Sequence, residues 1–180
     1  MKKLLFLFLF LLLFAPLCEA QFVKAVRTEP FSLSTKTFRP IPFESNETRM
    51  NDVSLHDPRA SLTRFTAASD GAFLVFGTII YEKQAGGYIR NLCLIKNSDE
   101  VTGVLGCNAL TSPNDCFAYE GCSVAVAPTM VFLSAGEYVE FYGYQDTGKP
   151  VAIRYGPVAA SSYAVMIRLS AGAPALTASR

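Results

Sequence analysis

Residues 71–78, Gly-Ala-Phe-Leu-Val-Phe-Gly-Thr, form an apolar segment that limits the possible folds of this chain. Aromatic and β-branched residues favour a β-strand, and side chains along a strand alternate between two faces. In this segment both faces are apolar. Residues 133–142, Leu-Ser-Ala-Gly-Glu-Tyr-Val-Glu-Phe-Tyr, place a tight glycine turn before another strand. A sheet that is apolar on both faces needs packing on each side, so we expect one domain not to be the whole assembly.

The rest of the chain repeats this pattern of strands and turns. Gly, Pro, Asn and Asp recur between short segments rich in Val, Ile, Phe, Tyr and Thr, and no stretch keeps a helical period. The pattern predicts an all-β fold in which two antiparallel sheets pack as a sandwich. The predicted strands are residues 22–28, 39–43, 62–67, 72–82, 88–96, 123–133, 137–145, 151–155 and 162–169.

Two segments interrupt this pattern. Residues 44–61 are polar and are predicted to form a long surface loop. Residues 97–121 form a longer insertion that contains two cysteines. A loop of that length inside a compact domain is usually functional or has to be tied down.

The first twenty residues have the features of a secretory signal peptide. Lys2 and Lys3 precede an apolar run, and small residues follow at positions typical of cleavage, which we expect after Ala20. The apolar run is too short for a comfortable membrane span, and no other apolar run follows it. We therefore expect a signal peptide at 1–20, one domain at 21–170 and a flexible tail at 171–180, with no membrane span in the mature chain.

The charge balance excludes one class of partner. Without the signal peptide the chain has 14 basic and 14 acidic side chains, and no basic run or stripe occurs. Binding to nucleic acid depends on neutralising phosphates with basic residues. No nucleic-acid partner is therefore expected.

Cysteine usage agrees with export. After removal of Cys18 four cysteines remain, namely Cys93, Cys107, Cys116 and Cys122. An even number in an exported chain indicates two disulfides, and no close Cys-x-x-Cys pair of the kind that zinc sites use is present. The residues alone leave three pairings open.

The order of several motifs resembles the tumour necrosis factor and complement globular-head superfamily of jelly-roll proteins. The resemblance extends over residues 22–170 and depends on order and spacing, since each motif by itself is common in β proteins. Glu137, where that superfamily usually has aspartate, and the insertion at 97–121 depart from the pattern. The motifs are Ile41-Pro42-Phe43, Asp52 with His56-Asp57, Leu62 to Thr66, Gly71 to Phe76, Leu94-Ile95-Lys96-Asn97, Val131 to Val139, and Ser162 to Leu169.

The resemblance implies a homotrimer of two-sheet jelly rolls. In that family one sheet turns its outer face to the three-fold axis, and the opposite sides of the same strands supply the core. Burying an exposed Phe or Leu contributes about 1.5–3 kcal/mol, so an apolar outer face favours association. The residues expected at the trimer interface are Leu74, Phe76, Tyr138, Tyr142, Tyr163, Val165 and Ile167.

The resemblance also suggests how the cysteines pair. Cys93 ends one strand and Cys122 precedes another, and in the family these two strands are antiparallel neighbours. A nested scheme follows, with Cys93 bonded to Cys122 across the base of the insertion and Cys107 bonded to Cys116 near its tip.

Residues that could carry catalysis or bind a metal are few. His56 is the only histidine, and no Gly-x-Ser-x-Gly elbow accompanies it, so we interpret it as structural and expect no enzymatic activity. No calcium-loop motif is present, and we predict no metal or cofactor. Asn46-Glu47-Thr48 is an N-glycosylation sequon, which predicts a glycan on Asn46 if the host is a eukaryote.

These features favour a secreted binding module whose homotrimer presents three copies of its loops to a partner. The expected partner is an unidentified extracellular protein or surface ligand, contacted by loops 44–61 and 97–121, with Phe117 and Tyr119 as aromatic anchors. A structural coat or fibre-head component that acts through self-assembly is the alternative. A jelly-roll enzyme is a further alternative that lacks a catalytic constellation.

Overall fold

The computed structural model describes residues 21–47, 54–83, 87, 89–110, 121–156 and 161–171. In these ranges the chain forms β-strands and no α-helix, and hence no helix that could cross a membrane. The strands are β1 (Phe22–Val26), β2 (Phe31–Leu33), β3 (Arg39–Pro40), β4 (Ser45–Asn46), β5 (Phe65–Thr66), β6 (Gly71–Glu82), β7 (Arg90–Lys96), β8 (Val104–Leu110), β9 (Gly121–Leu133), β10 (Tyr138–Gln145), β11 (Val151–Ile153) and β12 (Tyr163–Ala171).

The strands form two antiparallel sheets. In the first sheet β6 pairs with β9 and with β12, and β1 and then β4 follow beyond β12. β11 pairs with β6 at Tyr81, and β2 pairs with β11. In the second sheet β10 lies between β7 and the short strands β3 and β5, and β8 pairs with the other edge of β7. The predicted all-β sandwich of two antiparallel sheets is confirmed.

Aromatic side chains fill the space between the sheets. Phe43, Phe65 and Phe141 are fully buried and pack edge to face, with ring centroids 5.8–6.1 Å apart. Each buried Phe contributes about 1.5–3 kcal/mol, and edge-to-face pairs add to this. Phe43 lies in the loop before β4, whereas Phe65 and Phe141 lie on β5 and β10 of the second sheet. Their packing therefore holds this loop against the core.

Gly77 in β6 allows the two sheets to approach each other. A methyl group at this position would lie 2.9 Å from the Phe141 ring and 2.9 Å from the carbonyl oxygen of Tyr163. We expect Gly77→Ala to lower the free energy of unfolding by about 1–3 kcal/mol because of overpacking, as measured by urea denaturation.

Gly106 in β8 provides the matched control for Gly77. A methyl group there would meet side-chain atoms only at 3.5 Å and 3.8 Å, which are ordinary contacts. Gly106→Ala should therefore change the stability little. Equal losses from the two substitutions would contradict the packing argument.

The sequence pattern missed three strands. β2 and β4 are only three and two residues long, and pairing with β11 and β1 holds them in the sheet. β8 lies inside the segment 97–121, which was predicted to be a loop insertion. Its residues are mostly exposed and show no clear alternation, so the strand depends on pairing with β7. The segment 44–61 was predicted to be a surface loop, yet its residues Leu55 and His56 are buried.

Candidate functional site

The outer face of the first sheet is an apolar surface. Side chains alternate along β6 and β12, and cross-strand neighbours share a face. Phe76 lies opposite Val165, and Leu74 lies opposite Ile167. Val165 is buried, while the other three are partly exposed. We call this surface the first-sheet face; it comprises Phe22, Leu74, Phe76, Thr78, Ile80, Met130, Phe132, Tyr163, Val165 and Ile167.

A groove of about 530 Å³ lies on the first-sheet face. Phe76, Ile80 and Val165 contribute apolar lining from β6 and β12, and Phe22 and Tyr163 lie beside them. The groove has a polar border at Lys24, whose Nζ lies 2.6 Å from Glu47 and 5.4 Å from the centroid of the Tyr163 ring. An apolar floor with a polar border is the usual composition of an interface between proteins.

Met130 and Phe132 extend the first-sheet face beyond the residues predicted from the sequence. Met130 lies opposite Leu74, and Phe132 lies opposite Ala72, so both side chains point to the outer side. They are 60% and 69% exposed, which is high for large apolar side chains. The register of β9 shifts between its pairings with Val75 and Gly77, so sequence alternation alone could not place these residues.

Tyr138 and Tyr142 do not belong to the first-sheet face. Both lie on β10, which pairs with β7 in the second sheet. Val139 and Phe141 point into the core, so Tyr138 and Tyr142 point away from it on the opposite side of the molecule. The expectation that they share one sheet face with Phe76 and Tyr163 is therefore wrong. Strand alternation separates the inner from the outer side of a strand but does not identify the sheet to which the strand belongs.

The disulfide pairing also differs from the nested scheme. Cys93 and Cys107 are directly opposite each other on β7 and β8 and form a disulfide, with 4.1 Å between their Cα atoms. The predicted bond between Cys93 and Cys122 is therefore wrong. Cys122 lies on β9 in the other sheet, opposite Tyr81, and is also disulfide-bonded. Cys116 lies outside the described residues.

His56 is fixed in the interior by its contacts. Its Nδ1 lies 2.7 Å from the Asn46 Oδ1, its carbonyl oxygen accepts a hydrogen bond from the Asn46 Nδ2 at 2.7 Å, and its ring stacks on Phe65 at 4.6 Å. Only 1% of the residue is exposed, and this burial lowers the pKa of His56 to about 4, although the Leu62 carbonyl and Asp57 favour the charged form. These contacts favour the structural interpretation of His56.

The predicted glycosylation site has an internal role in the fold. Asn46 lies opposite Ala25 in the pairing of β4 with β1, and it uses both polar atoms of its carboxamide in contacts with His56. Its glycosylation stays a prediction. Phe117 and Tyr119, the predicted anchors for a partner, lie outside the described residues. In the described part of the chain no three His, Cys, Asp or Glu side chains are grouped closely enough to hold a metal ion.

Solved structures share this arrangement of strands. The Eiger TNF from S. frugiperda aligns with a TM-score of 0.58 and 14% identity, over 86% of this chain and 95% of that one. Murine APRIL aligns with a TM-score of 0.57 and 9% identity, over 83% and 99%. The chain has the tumour necrosis factor-like jelly-roll fold.

The resemblance found in the sequence motifs is thus confirmed at the level of the fold. The globular domain of zebrafish complement 1qA aligns with a TM-score of 0.50 and 17% identity, over 84% of this chain and 99% of that one. No family model matches the sequence, and no curated protein matches it significantly. At identities this low the likeness establishes the jelly-roll fold alone.

Proposed function

We propose that this chain is a secreted, non-enzymatic binding module that acts as a homotrimer of jelly rolls. The observation that carries the proposal is the first-sheet face, where large apolar side chains stay exposed on a sheet whose other face already forms the core. Apolar surface of this kind marks sites of association. A closed three-fold arrangement would bury it in every copy.

Secretion is supported by the N-terminal sequence and by the cysteines. Residues 1–20 have the charged start, apolar run and small-residue end of a signal peptide. Cys93, Cys107 and Cys122 are all disulfide-bonded, which is typical of exported proteins. The buried position of His56 beside Asn46 supports a role without catalysis, since a general base has to reach a substrate.

The trimer can be tested by light scattering of the mature chain at micromolar concentration. We expect a mass three times that of one chain. Phe76→Glu should shift the protein to monomers, because it places a charge inside an apolar interface. A monomeric mass for the unaltered protein would contradict the proposal.

Val104→Glu is the matched control for Phe76→Glu. Val104 is 43% exposed on β8 of the second sheet, so this substitution adds the same charge away from the first-sheet face. It should leave the mass unchanged. Equal loss of trimer in both variants would show that added charge, and not the first-sheet face, disrupts the assembly.

We further propose that the segment between β8 and β9 contacts the partner, with Phe117 and Tyr119 as anchors. The proposal is supported by the Cys93–Cys107 disulfide on β7 and β8 and by the disulfide at Cys122 on β9, which constrain the strands on both sides of this segment. Replacing both aromatic residues with alanine should abolish capture of the extracellular partner while the trimer mass stays unchanged.

A further inference from the structure

The second sheet carries a carboxylate between two aromatic rings on its outer face. Tyr138, Glu140 and Tyr142 occupy alternate positions of β10, so their side chains share the side that points away from the core. Glu140 is only 3% exposed. Acidic side chains are rarely buried to this degree unless they have partners.

Two hydroxyl groups hold the Glu140 carboxylate in place. Thr63 Oγ1 donates to Oε1 at 2.6 Å, and Ser98 Oγ donates to Oε2 at 2.6 Å. Ser98 lies in a turn with a left-handed backbone, at φ 55°, and its Oγ is also 3.0 Å from the Tyr138 hydroxyl. Hydrogen bonds to the charged form stabilise a carboxylate without a cation. The site is therefore preformed by neutral donors.

Arg64 places its guanidinium at this carboxylate. Its Nε lies 3.7 Å from the Glu140 Oε1, and its Cζ lies 4.3 Å from the centroid of the Tyr138 ring. A planar guanidinium suits both contacts, because it pairs with carboxylates and stacks on aromatic faces. The Arg64 side chain is nevertheless 49% exposed.

A second arginine–glutamate pair, directly after β1, shows what a structural pair looks like in this chain. The Arg27 side chain is fully buried, lies 3.1 Å from Glu44 and donates to main-chain carbonyls. Arg64 has a longer contact to its carboxylate and remains open to solvent. When Arg64 moves away, Glu140 keeps the hydrogen bonds from Thr63 and Ser98, so its carboxylate still has two partners.

We propose that Glu140 and Tyr138 form a binding site for an arginine side chain of a partner protein, and that Arg64 occupies this site in the free chain. The inference rests on the proposed binding role and names the partner chemistry that the second sheet accepts. An incoming arginine has the same two groups to contact and has only to displace a half-exposed side chain.

The test is a chemical-shift titration of the mature protein with Nα-acetyl-arginine amide, following the amides of Tyr138 and Ser98. Arg64→Ala removes the tethered competitor, so we expect it to bind the probe roughly tenfold more tightly than the unaltered protein. Arg64→Ala combined with Glu140→Gln should lose this gain. Arg64→Ala combined with Tyr138→Leu should bind the probe more weakly than Arg64→Ala alone. This variant tests the site if the one with Glu140→Gln misfolds.

Nα-acetyl-citrulline amide is the control probe, because it keeps the shape of arginine and lacks the charge. It should not bind to Arg64→Ala. Equal binding of both probes, or affinity in Arg64→Ala that does not exceed that of the unaltered protein, would overturn the site. The titration does not depend on oligomeric state, so a monomeric mass together with arginine binding would refute the trimer and retain this site.

Discussion

Glu44→Gln is expected to lower the free energy of unfolding by about 3–5 kcal/mol, because it leaves the charge of a fully buried arginine without its counter-ion. The Arg27 side chain has no exposed surface, and its Nη1 lies 3.1 Å from the Glu44 Oε1. Burial lowers the pKa of Arg27, while Glu44 opposes this shift. The guanidinium stays charged in this environment, since arginine does not deprotonate in proteins.

Glu44→Gln removes the negative charge and keeps the shape of the side chain. Glutamine keeps an oxygen that can accept the hydrogen bond which the Thr28 main-chain N–H donates to Glu44 at 2.9 Å. Arg27 also keeps its bonds to the carbonyl oxygens of Pro42 and Glu29. Urea denaturation at pH 7 measures the loss.

Glu47→Gln serves as the matched control, because it breaks an ion pair three residues along the chain. Lys24 and Glu47 lie 2.6 Å apart, but their side chains are 26% and 38% exposed. Exposed pairs contribute about 0–1 kcal/mol, so this variant should be nearly as stable as the unaltered protein. Similar losses at both positions would show that burial of Arg27 is not the source of the effect.

His56 is expected to make the fold sensitive to mild acid. Its pKa is about 4 in the folded chain and 6.5 in the unfolded chain, so the unfolded chain binds a proton first as the pH falls. The stability is complete above pH 6.5 and is lost as the pH falls toward 4. The expected loss is about 2 kcal/mol by pH 5 and about 3 kcal/mol by pH 4, since each pKa unit corresponds to 1.36 kcal/mol.

His56→Gln should remove this dependence. His56 is the only histidine of the chain, and carboxylates with ordinary pKa values stay ionised between pH 6.5 and 5. Urea denaturation at several pH values in this window should show a falling free energy of unfolding for the unaltered protein and a nearly constant one for the variant. The slopes are compared, because the variant can lose stability at every pH through its altered contact with Asn46. A variant with the same slope would exclude His56 as the acid-sensitive group.

The long strands could be predicted from the sequence because their side chains carry the information locally. β6 and β12 combine aromatic and β-branched residues with clear turns at their ends, and both were found within two residues of their observed bounds. The short or polar strands could not be found this way. β8 contains Gly106 and exposed residues, and only its pairing with β7 makes it a strand.

The candidate site was predictable only in part for the same reason. Phe76, Tyr163 and Val165 were correctly placed on one face, since they lie opposite one another or nearby on neighbouring strands. Tyr138 and Tyr142 show the same alternation, yet they lie on the second sheet. Met130 and Phe132 were missed because a shift of register in β9 precedes them.

The residue pattern alone predicted an all-β sandwich, the positions of its main strands and the side of β6, β10 and β12 that faces the core. These properties follow from the period of two along a strand and from the residues that form turns. The pairing of the strands is known only from the folded chain. The Cys93–Cys107 bond, the sheet that carries Tyr138 and the burial of His56 all depend on that pairing. Pairing between segments distant in sequence is selected by packing of the whole core, and no local pattern records it.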